Sequence, residues 1–352
     1  MQQQIRFCRS FDGTRIAFAA TGNGPPILKA PHWLTHLEYE WQSPIWRPWI
    51  EAFSSGYTLV RLDERGCGLS ERAPRDFSFD AFVRDMEAVA DAAGLEKFAL
   101  FGHSQGGAVA IEYAARHPER VSHLVLLGSY LRGSLRRAAT PETQAEIMAQ
   151  LKLVELGWGR EDASYRQMFS MQFMPGATLE QLRSLSELQR VSSSPEITVQ
   201  ILRTAFELQV RASAPQVRCP TLVLHARGDM RVPFEEGCLA ASEIPGARMV
   251  PLDTQNHILL EHEPAFGRFF EELRGFLGQG PSFSGLTSRE AQVLEHIAQG
   301  LDNAQIAARL DLSEKTVRNH ITSVFDKIGV ESRAQAIVLA RERGLGQRSR
   351  SL

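Results

Sequence analysis

The stretch Phe98-Ala99-Leu100-Phe101-Gly102-His103-Ser104-Gln105-Gly106-Gly107 decides the fold. A short apolar run stops at a Gly-x-Ser-x-Gly, and apolar residues at helical spacing begin at once in Ala108, Val109, Ile111 and Ala114. The pattern predicts a strand, a sharp turn and a helix, with the Ser104 hydroxyl projecting above a sheet. The small residues at 102, 106 and 107 have a physical reason: a nucleophile on so tight a turn holds a strained backbone angle, and bulk on either side would clash with the neighbouring strand or helix.

Outward from this stretch, strand and helix signals alternate. Ile5 to Arg9 and Arg15 to Ala20 read as a hairpin across Asp12-Gly13, and further strands are expected from Ile27, over Tyr57 to Leu62 and over Val121 to Leu127. Phe82, Val83, Met86, Val89, Ala90 and Ala93 recur at helical spacing up to Gly94. From Ser129 to about Ala214 the rhythm changes to helices alone, carrying Trp158, Tyr165, Met168, Phe169, Met171, Phe173 and Met174. Such an insertion reads as a lid, its Met and aromatic residues forming lid core and, in part, pocket wall. Strands resume at Thr221 to His225 and Arg248 to Leu252, and a helix over Pro264 to Leu277 closes the body. The fold class expected is α/β, a doubly wound, mostly parallel sheet with a helical lid. Gly278-Gln279-Gly280-Pro281-Ser282-Phe283-Ser284-Gly285 then reads as a linker. The expected division is a body over 1–278, a linker over 279–285 and a small all-α domain over 286–352.

Composition restricts the alternatives. At 352 residues the chain exceeds the size at which one core usually keeps growing. No run reaches the roughly 18 uninterrupted apolar residues of a membrane span. Residues 1–24 lack a basic end followed by an apolar core, so a cytoplasmic protein is expected. Cys8, Cys67, Cys219 and Cys238 are scattered without a Cys-x-x-Cys, which predicts free thiols, no metal site and no cofactor. From Pro281 onward 10 Lys and Arg stand against 8 Asp and Glu, a mildly basic tail behind an acidic body.

Two further residues complete a reactive set. Asp229 follows the strand ending at His225, and His257 follows the strand ending at Leu252. Serine, then aspartate, then histidine, each in the turn after a strand, is the chain order of one fold. With the elbow at 102–107, Asp63-Glu64-Arg65-Gly66-Cys67-Gly68-Leu69-Ser70, Gly228-Asp229-Met230-Arg231-Val232-Pro233 and Asn256-His257, residues 1 to about 278 resemble the α/β-hydrolase superfamily. The resemblance implies Ser104 as nucleophile, His257 as general base and acid, and Asp229 as the group orienting it. That chemistry needs these types: a serine hydroxyl is too weak an acid to attack unaided, so an imidazole must take its proton and a buried carboxylate must fix the imidazole's tautomer. In most relatives the strand that here begins at Ile27 ends in His-Gly; this chain reads Lys29-Ala30-Pro31-His32-Trp33. The implied oxyanion donors are then the backbone N–H groups of Gln105 and Trp33. Lys29 to Leu37, followed by Trp41, Trp46 and Trp49, resembles a branch of these hydrolases fused to regulatory domains. A small-molecule ligand is expected at His32, Trp33, Ser104 and His257, where open α/β sheets bind their ligands.

From Leu286 the chain reads as four short helices, the first opened by the capping box Thr287-Ser288-Arg289-Glu290. Ala298-Gln299-Gly300, Asn303, Ile306-Ala307, Leu312-Ser313-Glu314-Lys315-Thr316-Val317, His320 and Lys327-Ile328-Gly329-Val330 resemble the LuxR-type helix-turn-helix DNA-binding domain. On its third helix Val317, Ile321, Val324, Phe325 and Ile328 face inward, leaving Lys315, Arg318, Asn319, Thr322 and Asp326 as a polar edge for the major groove. The resemblance implies base-edge contacts from Arg318, Asn319 and Thr322 and phosphate contacts from Lys315 and Thr316. The expected protein is a transcription regulator that binds duplex DNA as a homodimer, its first domain sensing a small molecule. Two rivals are a serine hydrolase of an ester, lactone or amide with a regulatory tail, and a vestigial pocket in a dimerisation module.

Overall fold

The computed structural model describes residues 2–158, 160, 164–278, 285–342 and 345–346. Of the expected linker, 279–284 lie outside the described residues, as do 343–344 and 347–352 of the C-terminal segment. The chain divides into two compact units, Met1–Phe270 and Glu271–Leu352.

In the first unit the strands are β1 (Gln4–Arg9), β2 (Arg15–Thr21), β3 (Pro26–Lys29), β4 (Thr58–Leu62), β5 (Phe98–His103), β6 (Val121–Leu127), β7 (Thr221–Ala226) and β8 (Arg248–Leu252). They form one sheet in the order β1-β2-β4-β3-β5-β6-β7-β8. The β1–β2 hairpin and the β2–β4 pair are antiparallel, and every other pair is parallel. β5 is buried along its whole length, as a strand covered on both faces must be. Strand order reverses between β3 and β5, so the ends of these two strands open a crevice where a ligand can sit.

Helices α1 (Leu37–Gln42), α2 (Trp46–Ser54), α3 (Phe79–Ala92) and α4 (Gln105–Arg116) follow in chain order. The insertion after β6 holds α5 (Ser134–Arg137), α6 (Pro141–Gly157), α7 (Ser164–Phe173), α8 (Leu179–Ser192) and α9 (Pro195–Glu207); α10 (Phe234–Glu243) and α11 (Pro264–Phe276) flank β8. An aromatic cluster anchors β5: Trp49 of α2 lies 6.2 Å from Phe101, and Phe101 lies 5.5 Å from Phe269 of α11. Each such pair adds about 0.5–1.5 kcal/mol beyond its area. The lid reading needs one adjustment. Phe169 and Phe173 of α7 are buried, whereas Met168 and Met171 are 48% and 54% exposed, because helical spacing places them on the opposite side of α7.

The second unit contains α12 (Ser288–Ala298), α13 (Asn303–Leu310), α14 (Glu314–Ile328) and α15 (Arg333–Glu342) around a core of Val293, Leu294, Ile297, Ile306, Val317, Val324 and Ile328. Thr287 closes the expected capping box with Glu290, and Asp302 forms a second with Gln305. Between α13 and α14 the chain turns through Asp311, whose left-handed backbone (φ 53°) ends one helix just before Ser313 caps the next.

Candidate functional site

Ser104 sits between the end of β5 and the start of α4 with φ 55° and ψ −128°. Glycine at 106 and 107 is what lets this turn exist: a Cβ on Gly106 would stand 2.5 Å from the Pro31 carbonyl oxygen, and one on Gly107 would stand 1.9 Å from Ser129 Oγ. The strained turn holds the serine side chain in the wall of a cavity of about 260 Å³.

Asp229 lines the same cavity, and His257, which contacts it, lines a smaller space together with His32, Trp33 and Ser104. Asp229 Oδ2 lies 2.7 Å from His257 Nδ1, and Asp229 Oδ1 accepts the backbone N–H groups of Arg231 and Val232 at 2.8 and 2.9 Å. Burial pushes the Asp229 carboxyl up, but its contact with His257 and the Val232 N–H outweigh this and hold the group below its ordinary range. An ionised carboxylate only accepts, so Nδ1 of His257 carries the proton and Nε2 presents its lone pair. Among the described residues Nε2 has no hydrogen-bond partner, and no bond joins it to Ser104 Oγ. The Asp229–His257 contact is therefore made, while among the described residues no hydrogen bond joins His257 to Ser104. His103 packs against His257: its Nε2 lies 3.0 Å from the His257 carbonyl and its ring stacks on the His257 ring at 5.0 Å.

The other expected ligand contacts converge on the same place. His32, Trp33, Ser104 and Gln105 line the cavity together. Gln105 opens α4, so its backbone N–H has no acceptor within the helix; its side chain is tied to Glu64, Nε2 to Oε1 at 2.8 Å. Trp33 is buried, its ring stacked on Phe169 at 5.7 Å. His32 is 3% exposed, and its Nδ1 lies 2.6 Å from Lys29 Nζ. Burial, then the Lys29 charge, pushes His32 well below its ordinary value, and burial pulls Lys29 down to about 8. Lys29, His103, Arg137 and Arg231 escaped the sequence reading. A lysine closing a buried strand and an arginine two residues past Asp229 were the available signals.

In the second unit Lys315, Arg318, Asn319 and Thr322 are exposed along α14 and Thr316 is half-buried, while Val317, Val324 and Ile328 are fully buried. Ile321 and Phe325 are partly buried against the same core. Ser313 caps the helix by accepting the Thr316 N–H at 3.1 Å, and Glu290 takes Lys327 Nζ at 2.7 Å, pinning α14 to α12. The polar edge therefore sits on a helix that is capped at its start and tied to α12.

Comparison with known proteins agrees with this geometry. The model of the alpha/beta hydrolase fold matches residues 36–264, and that of bacterial regulatory proteins of the luxR family matches residues 284–340. The RutD protein of Azorhizobium caulinodans, whose name marks it provisionally as a carbamate hydrolase, is 32% identical over 240 residues, 66% of this chain and 86% of that protein. The DNA-binding transcriptional activator DevR/DosR of Mycobacterium tuberculosis is 44% identical over 71 residues, 20% of this chain and 33% of that protein. An esterase from Exiguobacterium antarcticum superposes with a TM-score of 0.64 at 23% identity, covering 77% of this chain and 98% of that structure. No helix among the described residues is long and apolar enough to cross a membrane. The chain belongs to the alpha/beta hydrolase fold family and carries, after that domain, a DNA-binding domain of the LuxR regulatory family.

Proposed function

We propose that the protein is a ligand-responsive transcription regulator. The observation that carries this reading is the pairing, in one chain, of a LuxR-family helix-turn-helix domain with a cavity walled by Ser104, His32, Trp33 and Asp229. The first domain, over 1–278, binds a small molecule at the carboxyl ends of β3 and β5, reached by His257 as well as by the wall residues. A linker over 279–285 joins it to the DNA-binding domain over 286–352. Arg318, Asn319 and Thr322 read base edges, Lys315 and Thr316 hold phosphates, and a homodimer presents two recognition helices to a two-fold operator. Selection of bound duplexes from a random library by the full chain tests this directly: an enriched motif with two-fold symmetry supports it, and retention without sequence preference at moderate salt overturns it.

A second reading, slow hydrolysis of an ester, lactone or amide, is favoured by the Asp229–His257 contact of 2.7 Å and the strained Ser104 turn. In it Ser104 attacks the carbonyl carbon, His257 Nε2 takes the hydroxyl proton and returns it to the leaving group, and the N–H groups of Gln105 and Trp33 receive the oxyanion. Ester hydrolysis and ligand-dependent DNA binding, measured in the parent and in Ser104→Ala, separate the readings. If hydrolysis vanishes and the DNA response persists, the pocket senses by binding; if both vanish while ligand affinity persists, turnover is the signal.

A further inference from the structure

Two guanidiniums stand in the wall of the cavity that holds Ser104, and among the described residues no carboxylate lies within ion-pair distance of either. Arg137 ends α5 and Arg231 follows Asp229 by two residues; both line the cavity. Arg137 Nη1 donates to the Arg132 carbonyl at 2.6 Å, and Arg231 Nη1 reaches only the neutral Gln172 Oε1, at 3.4 Å. Nearby carboxylates are engaged elsewhere, Asp229 with His257 and Glu236 with Arg132. Among the described residues neither arginine takes part in an ion pair. Their flat faces are covered: Arg231 lies 5.3 Å from both Phe169 and Phe173, and Arg137 lies 5.3 Å from Tyr130. Each guanidinium has five N–H donors, and among the described residues only Nη1 of each meets an acceptor, so the others can serve a ligand.

Burial lowers the basicity of both arginines, and the charge of Arg137 adds to that at Arg231. Both remain cations at neutral pH. Two cations held in one partly desolvated wall destabilise the folded chain unless an anion joins them. Against the single negative charge of Asp229, the two guanidiniums leave the cavity wall one net positive charge. That balance suits a singly charged group better than a phosphate dianion, and a guanidinium fork matches a carboxylate's two oxygens.

We propose that this cavity takes an organic carboxylate, its anionic end held by Arg137 and Arg231 while a carbonyl one short carbon chain away meets Ser104. The inference rests on the ligand-pocket reading above and names the chemical class of the ligand. Aromatic rings around Arg231 would pack against the carbon chain, so affinity comes from both ends of the molecule.

The test uses two esters of similar length, the anionic mono-4-nitrophenyl glutarate and the neutral 4-nitrophenyl pentanoate, titrated calorimetrically into full-length Ser104→Ala, which cannot turn them over. The half-ester is expected to bind about tenfold or more tighter than the neutral ester. On that background Arg137→Gln and Arg231→Gln should each erase most of the preference while leaving the neutral ester within about threefold. Arg137→Lys and Arg231→Lys, which keep the charge and guard against misfolding of the Gln variants, should retain part of it. Equal binding of the two esters, or a preference that survives in both Gln variants, overturns the carboxylate assignment and leaves the pocket reading standing. 4-Nitrophenyl phosphate binding as tightly as the half-ester overturns the choice of a carboxylate. Failure of both esters to bind the folded protein overturns this inference and the pocket reading together.

Discussion

The ammonium of Lys29 lies 2.6 Å from Nδ1 of His32, and both side chains are buried. An ammonium only donates, so Nδ1 accepts and the imidazole proton sits on Nε2. His32, which lines the cavity together with Ser104, thereby carries its ring proton on Nε2. Lys29 is pulled by burial from 10.5 to about 8. The folded chain therefore binds fewer protons than the unfolded chain between about pH 8 and 10.5, and this residue makes stability rise with pH across that window. Denaturant unfolding of the parent and Lys29→Met should show the variant more stable below pH 8, with its advantage shrinking by on the order of 3 kcal/mol towards pH 10.5. A pH-independent difference would show that Lys29 is not desolvated as the fold places it.

Arg318 is exposed on α14 with Val317 fully buried next to it. Arg318→Ala should cost about 1–3 kcal/mol on a cognate duplex and relax preference at one position. Lys315→Ala should weaken binding to all duplexes alike and reduce the salt slope by about 1. Competition binding at several salt concentrations distinguishes the two; a uniform loss for Arg318→Ala would remove it from base reading.

Glu290 is pulled down to about 2, first by the hydrogen bond from Lys327, then by Ser323 and the Thr287 N–H. A depressed carboxyl contributes stability that is present above its unfolded value near 4.5 and lost as pH falls towards 2. The helical signal of the second unit in the full chain should therefore weaken through this acid window, and Glu290→Gln should flatten that part of the profile. An unchanged profile in the variant would show that Glu290 does not hold α14 to α12.

Any hydrolysis should depend on Ser104 and be slow, because Pro31-His32 stands where the resemblance to these hydrolases implies a glycine-bearing oxyanion segment. Loss of one oxyanion donor alone costs about 10²–10³ in turnover. Stopped-flow assays on small esters check this. Turnover above about 10² per second, well beyond the median enzyme, would show a fully competent oxyanion site.

Much of this was legible in the sequence because the signals are local. The apolar run into Gly-x-Ser-x-Gly fixes β5, the turn and α4 within a few residues, and Ser313 with the α14 periodicity fixes the exposed edge. Asp229 and His257 were readable from chain order, and the structure joins them at 2.7 Å. Charge balance was not legible. Nothing near Arg137 or Arg231 in sequence says whether a carboxylate will face it, since Gln172 is brought there by α7 and Glu236 by α10. Lys29 was hidden for the same reason: its burial depends on α1 and β4, which carry the Glu40–Arg61 pair beside it. The exposure of Met168 and Met171 was open to sequence alone only through the phase of α7, which a run of apolar residues on several faces obscures.

If occupancy of the Ser104 cavity controls DNA binding, filling that cavity covalently must change the affinity for duplex. Full-length protein is treated with a neutral fluorophosphonate, the Ser104 adduct is verified by mass spectrometry, and affinity for the selected duplex is measured before and after, with Ser104→Ala as control. The account predicts that the adduct shifts affinity by about fivefold or more, in either direction, and that Ser104→Ala is unresponsive. Stoichiometric modification of Ser104 with duplex affinity unchanged would contradict it.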